Sequence, residues 1–169
     1  MSWCLFTDGS LNPQRRIGIG IALLVPESFL ETESKRIDAK EIAALTRHRR
    51  IKDTSSTKLE VQTAIWAIRE FEDKSPIVLH TDSQNVVGLH ARRERLEANK
   101  YVSNETGKTI RHAELYQRYF ALADQCEFTV RKVTGHSDYR YQDTVHRIFH
   151  YVDREARRLL KQWLRELEP

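Results

Sequence analysis

Two short apolar runs do most to limit what this chain can fold into. Trp3–Thr7 (WCLFT) and Ile77–Thr81 (IVLHT) both lack clean polar alternation, and each is followed at once by an aspartate, Asp8 and Asp82. Strands without polar alternation are covered on both faces, as at the centre of a sheet flanked by helices. In open α/β sheets the functional crevice lies beyond the carboxyl ends of such strands. If the two strands are parallel neighbours, both carboxylates emerge at one rim. Two unrelated turn aspartates are the plain alternative, so this pair alone decides nothing.

The rest of the chain alternates strand and helix patterns, which favours an α/β or mixed architecture. IGIGIALLV (17–25) reads as a second strand. Residues 26–57 hold a third strand, a short helix from Ala39 to Leu45, or both. A helical pattern runs from Lys58 to Phe71, a strand covers 76–82, and SQNVVGLHARRERLEANK reads as two short helices. AELYQRYFALADQ is a further helix, 127–133 a fifth strand, and helical sequence closes the chain to about Leu167. With no repeat, low-complexity tract or linker, one domain over 1–169 is expected, long enough to bury a real core.

No apolar run reaches the roughly 18 residues of a membrane span, so no membrane association is expected. MSWCLFTDGS lacks a basic n-region and cleavage site, and Cys4 and Cys126 read as free thiols, which fits a cytoplasmic protein. The 28 basic residues outnumber the 24 acidic ones, for a net charge of +4. That excess is compatible with a phosphate-backbone partner but too small to demand one.

Two further acids head apolar stripes. From Glu60, helical spacing reaches Ala64, Ala67, Ile68 and Phe71; from Asp153 it reaches Ala156, Leu160, Trp163 and Leu167. An unpaired carboxylate facing a core is costly. Glu60 has a bland alternative as the closing member of a capping box begun by Thr57, and Asp153 as an acid favoured by a helix dipole. Four acids placed at the mouths of buried elements repel one another unless divalent cations hold them together. Oxygen-only ligation suits Mg²⁺ or Mn²⁺, and no Cys/His set here has zinc spacing. Two such ions about 4 Å apart form a clamp for in-line attack on a phosphodiester. His136, in the polar loop VTGHSD after the fifth strand, is a candidate to shuttle protons at neutral pH.

In this order along the chain, LFTDGS, SSTKLEVQTAIWAI, IVLHTDSQNV, VTGHSD and VDREAR resemble the signature blocks of ribonuclease H, type 1. The resemblance covers most of the chain from Leu5 to Leu160. It implies a ribonuclease H-like fold: a five-stranded mixed sheet with helices on both faces. It also implies endonucleolytic cleavage of the RNA strand of an RNA–DNA hybrid, with 5′-phosphate and 3′-hydroxyl products. Asp8, Glu60, Asp82 and Asp153 match the four acids that bind two Mg²⁺ or Mn²⁺ ions when substrate is present, and His136 matches the mobile-loop histidine. A monomer without a separate hybrid-binding domain is expected.

Small polar groups beside the acids are placed to test for the 2′-hydroxyl that separates RNA from DNA. These are Ser10 and Asn12 after Asp8, Ser56 and Thr57 before Glu60, and Gln84 after Asp82, while Gly9 leaves room for a nucleic-acid backbone to approach. Arg92, Arg93, Arg95 and Lys100, in HARRERLEANK, are candidates to grip the phosphates of the other strand; a solvated helix face is the alternative. The sequence also departs from the family pattern. SST stands where asparagines are usual, the basic stretch lacks tryptophans, and the gap from His136 to Asp153 looks expanded. That gap leaves Asp143 as a rival fourth ligand, with Asp153 preferred for DREAR and for the stripe beneath it. GIGIA lacks the third glycine of a dinucleotide fingerprint. Related readings are a ribonuclease H-like nuclease acting on DNA, or an inactive binding module of the same fold.

Overall fold

The computed structural model describes residues 1–33, 36–133 and 141–169, with side chains in the last segment from Thr144 onward. His136 therefore lies outside the described residues, as does the side chain of Asp143. Five strands form one sheet: β1 (Trp3–Asn12), β2 (Ile17–Pro26), β3 (Thr46–Lys52), β4 (Ile77–Thr81) and β5 (Phe128–Lys132). Their order is β3-β2-β1-β4-β5. β1 pairs antiparallel with β2, and β2 with β3, whereas β1 with β4 and β4 with β5 are parallel. The two unalternated runs are thus parallel neighbours at the centre, as their composition predicts.

Helices cover both faces. α2 (Ser56–Glu70), α3 (Gln84–Ala98) and α4 (Ala113–Gln125) pack on one, over a core containing Leu5, Leu79, Ala64, Ile68 and Tyr119. α5 (Tyr141–Glu166) and α1 (Ala39–Leu45) cover the other, over Cys4, Phe6, Ile21, Ile148 and Val152. The period-2 alternation of β2 sorts its residues between these cores: Ile17, Ile19, Ile21, Leu23 and Val25 face α5, and Ala22 and Leu24 face α2.

The glycines of GIGIA lie on the α2 side of that strand. A Cβ on Gly20 would stand 2.6 Å from Thr63 Oγ1, and one on Gly18 2.7 Å from a methyl of Leu59. These are sites of close helix–sheet approach and have no phosphate-cradling geometry. They let the first turns of α2 lie directly on the sheet, and that depth sets where Glu60 stands.

Of the alternatives for residues 26–57 the structure has both, the short helix Ala39–Leu45 and the strand Thr46–Lys52, preceded by a 3₁₀ turn at Glu27–Glu31. Other sequence expectations need correction. The two short helices expected after Asp82 are one 15-residue helix, α3. Val86 and Leu89 bury on one side of it, and Arg92 reaches back along the helix to donate to the Gly88 and Asn85 carbonyls. β1 does not end at Asp8 but continues to Asn12 through its pairing with β2. Leu167, expected on the apolar stripe of the last helix, lies past its end and is exposed. Cys4 and Cys126 are both free, and no helix among the described residues is long and apolar enough to cross a membrane.

Candidate active site

Asp8 sits where the sheet divides. The parallel ladder between β1 and β4 ends at Phe6↔His80, so two residues further on Asp8 lies level with Asp82. Beyond that point β1 continues beside β2 alone, with Asp8 opposite Ile21. By strand alternation Asp8 shares the α5 side of the sheet with Phe6, whose ring stacks on His80 at 4.7 Å between centroids. Burial and Arg131 hold His80 near pKa 4 and therefore neutral, so it forms an uncharged floor under the two acids.

Asp153 completes this group from α5. Its neighbours Val152 and Ala156 are buried against the sheet, which brings its half-buried carboxyl up to Asp8. The Asp153 carboxyl lies close enough to Asp8 to raise its pKa, and it also pairs with Arg157 Nη2 at 3.3 Å. Burial first, then the charges of Asp82 and Asp153, push the Asp8 carboxyl from 3.8 up to about 8, against the opposing hydrogen bond from the Gly9 amide at 2.8 Å. Asp82 is raised as well, by burial and by Asp153, with Lys132 opposing. On the α5 axis Asp143 lies ten residues, about 15 Å, before Asp153. The described contact with Asp8 is made by Asp153.

Glu60 reaches the same rim from the opposite face of the sheet. α2 begins after Ser55, so Thr57 lies inside the helix and no capping-box bond forms. Glu60 Oε2 instead accepts a 2.5 Å hydrogen bond from Ser83 Oγ. Ser83 follows Asp82 and is the N-cap of α3, its Oγ accepting from the Val86 amide at 3.2 Å. One buried hydroxyl thus ties Glu60 to the Asp82 loop. The sequence reading passed over Ser83; its signal is the Ser/Thr-type cap that follows a strand and opens a helix.

Three carboxylates therefore meet on one rim, from β1, the end of β4 and α5, and Glu60 of α2 is tied to the Asp82 loop through Ser83. Among the described residues no three acidic, histidine or cysteine side chains are drawn up into a closed ligand set. The donor chemistry nevertheless fits hard divalent cations: every converging donor is a carboxylate oxygen. The crowding that drives Asp8 towards its protonated form is a deficit of positive charge, which such ions would relieve.

A family model described as RNase H matches residues 1–158. The chain belongs to the RNase H family. The ribonuclease H of Chlorobium phaeovibrioides (strain DSM 265 / 1930) is 27% identical over 92 residues. The match covers 53% of this chain and 62% of that relative, so less than two thirds of the relative's length is spanned. Among solved structures, a foamy viral protease-reverse transcriptase in complex with dsDNA is similar in fold, with a TM-score of 0.57. Its identity is 11%, and 92% of each chain is covered. Family membership and the five-stranded mixed sheet agree with the resemblance drawn from the sequence.

Against this RNase H frame, the remaining sequence candidates divide. Ser10, Ser56 and Thr57 flank the acids with no side-chain bond recorded among the described residues, whereas Asn12 Oδ1 accepts from the Arg15 amide at 2.8 Å and braces the β1–β2 turn. Gly9 spends its amide on Asp8, and a Cβ there would meet Leu59 at 3.0 Å. Gln84 Oε1 accepts from Lys132 Nζ at 2.7 Å, which places an unanticipated cation beside Asp82. Arg92 is bound to Asn85 and lies over the Tyr116 ring. Arg93 is held by a two-pronged pair with Asp124, by Glu97, and over Phe120. Arg95 and Lys100 are exposed.

Proposed function

We propose that this protein is an endonuclease that hydrolyses the RNA strand of RNA–DNA hybrids with two divalent cations, leaving 5′-phosphate and 3′-hydroxyl ends. The observation that carries the reading is the meeting of Asp8, Asp82 and Asp153 on one rim, with Glu60 tied to it through Ser83, in a member of the RNase H family. Bound there, Mg²⁺ or Mn²⁺ would lower the pKa of an attacking water and steady the leaving 3′-oxygen.

The chain's own groups do the rest. Asp8, Asp82 and Asp153, ionised once a cation is present, would hold it from the α5 side, and Glu60 closes the α2 side. Ser83 keeps the Glu60 carboxylate turned to the rim in place of a free rotamer search. Ser10, Ser56, Thr57 and Gln84 offer short donors and acceptors to a minor-groove 2′-hydroxyl, the group that distinguishes RNA. Arg95 and Lys100 meet the phosphates of the DNA strand. Arg92 and Arg93 shape that surface while staying tied to Asn85 and Asp124. His136 carries a proton between the leaving group and solvent.

Labelled RNA–DNA hybrid, double-stranded RNA and duplex DNA incubated with Mg²⁺ or Mn²⁺ test the reading, with Asp8→Asn in parallel. Cleavage of the hybrid's RNA strand alone, lost in Asp8→Asn, is the expected result. Preference for duplex DNA, or hybrid cleavage that survives Asp8→Asn, would overturn it.

A further inference from the structure

A cleft of about 800 Å³ lies on the α2 side of the molecule, between the edge strand β3 and helices α2 and α4. Its floor is apolar: Ile65 is buried, and Leu115 and the half-buried ring of Trp66 pack on the same core. Its walls are basic. Several of the neighbouring cations are already neutralised, Arg47 by Glu70, Arg50 by Glu166 at 2.7 Å and Arg118 by Glu114 at 3.2 Å. Arg49, Lys52 and Arg69 also line the cleft, and no ion pair or side-chain hydrogen bond engages them among the described residues. With Glu70 tied to Arg47, three uncompensated cations thus surround an aromatic ring.

The position of these groups gives the cleft a direction. α2 starts at the acid rim, and along it Lys58, Trp66 and Arg69 follow one another over about 16 Å at the helical rise of ~1.5 Å per residue. At the rim end, burial, then Arg111 and Lys58, hold the His112 imidazole below its ordinary pKa, which places both cations near it. Lys52 ends β3 beside the start of β2, opposite Ile17. Cations therefore stand at the rim end and in the cleft, with a ring face between them. Cations that track a backbone, together with an aromatic platform, are the recognition chemistry of unpaired nucleic acid strands. An acidic protein segment would meet the same charges, but it makes no use of a ring at the midpoint of a path that starts at the active rim.

We infer that the β3–α2–α4 cleft binds single-stranded nucleic acid, with Arg49, Lys52 and Arg69 on its phosphates and a base against Trp66. This site is separate from the four-acid rim and would take the unpaired extension of a strand engaged there. The idea of an extension rests on the proposed hybrid nuclease reading; strand binding itself does not.

The test uses the full chain and a fluorescein-labelled oligothymidylate of about 12 nucleotides, a length within the ~4–16 nucleotide sites of such grooves. Binding is followed by anisotropy and by tryptophan emission, without divalent metal. The triple change Arg49→Gln, Lys52→Gln, Arg69→Gln is expected to weaken binding at least about tenfold at low salt. It should also flatten the slope of log affinity against log salt by about 2, from three contacts at ~0.7 each. Oligothymidylate should quench tryptophan emission in the parent protein, and Trp66→Phe, which keeps an aromatic in the core, should abolish that response. Cleavage of a blunt-ended hybrid should stay within about twofold in both variants, with unchanged melting curves as the folding control.

Unaltered affinity and slope in the triple variant would overturn the proposal, as would quenching that survives Trp66→Phe. Equal loss of blunt-hybrid cleavage would overturn it by moving these residues into the main substrate path. A Trp66-dependent response to oligoglutamate with none to oligothymidylate would hand the cleft to an acidic protein segment. Should the protein bind oligothymidylate in this way yet cleave no hybrid, the proposed function fails and the strand site stands.

Discussion

The centre of the sheet and its β3 edge handle charge in opposite ways. At the centre, Asp8, Asp82 and Asp153 are buried and crowded together, opposed by Lys132 beside Asp82 and by Arg157, which pairs with Asp153 at 3.3 Å; burial first, and then the neighbouring carboxylates, still drive Asp8 up to about 8. At the edge, the run TRHRRIK spreads its charges into solvent, where Arg47 and Arg50 find partners in Glu70 and Glu166 and lie over Phe71 and Trp163. The first arrangement costs stability and makes sense only if something else supplies positive charge. The second costs nothing and protects an open strand edge from pairing with another chain. Like charges held together inside a fold mark a site; like charges spread on its edge mark a surface.

The sharpest way to break this contrast is Asp8→Asn. Activity on the hybrid should fall by about 10³-fold, the upper end of what removing one preorganised electrostatic group costs. Metal-free stability should move the other way. Folded Asp8 keeps its proton up to about 8 rather than 3.8, so the folded state binds the extra proton throughout that window, and stability falls as pH rises through it. At pH 8 without metal, Asp8→Asn should therefore melt several degrees above the parent protein, and the gap should close towards pH 4. Thermal scans at the two pH values check this; equal melting at pH 8 would mean the acids do not repel.

A smaller effect is expected at Ser83. Ser83→Ala removes the bond to Glu60 and the cap of α3. Partners that orient a ligating side chain are typically worth 10–100-fold, so kcat should drop by at least about tenfold with KM little changed. The lost cap should cost about 1 kcal/mol. Ser83→Thr should restore both, which separates orientation from mere packing. Smallest of all, Arg50→Gln at the edge should lower stability by about 0.5–1 kcal/mol, through its half-exposed pair with Glu166 and its contact with Trp163. It should leave hybrid cleavage unchanged; a loss as large as that at Ser83 would erase the distinction between edge and site.

Much of this was legible in the residues. The unalternated runs before Asp8 and Asp82 identify central strands because burial on both faces leaves no room for polar alternation. The stripes below Glu60 and Asp153 were likewise readable from spacing: Ala64, Ala67 and Ile68 are fully buried, as are Ala156 and Trp163. Local pattern failed where packing overrode it. Gly88 reads as a break in α3, but burial of Val86 and Leu89 carries the helix through it. Asp8 reads as the end of a strand because the apolar run stops there, whereas the ladder with β2, up to Asn12 opposite Ile17 across a short turn, carries β1 through polar residues.

By itself, the sequence determined the class of the fold, the strands at its centre and the four acids worth following, since hydrophobic periodicity and charge placement are local properties. Only the tertiary structure decided how those acids meet. The parallel β1–β4 register sets Asp8 level with Asp82, and the glycine-floored seat of Leu59 and Thr63 fixes the depth of α2. Ser83 then ties Glu60 to the rim, and the packing of α5 brings Asp153 to Asp8. These are consequences of which side chains fill the space between elements far apart in the chain, and no periodicity along the chain encodes that directly.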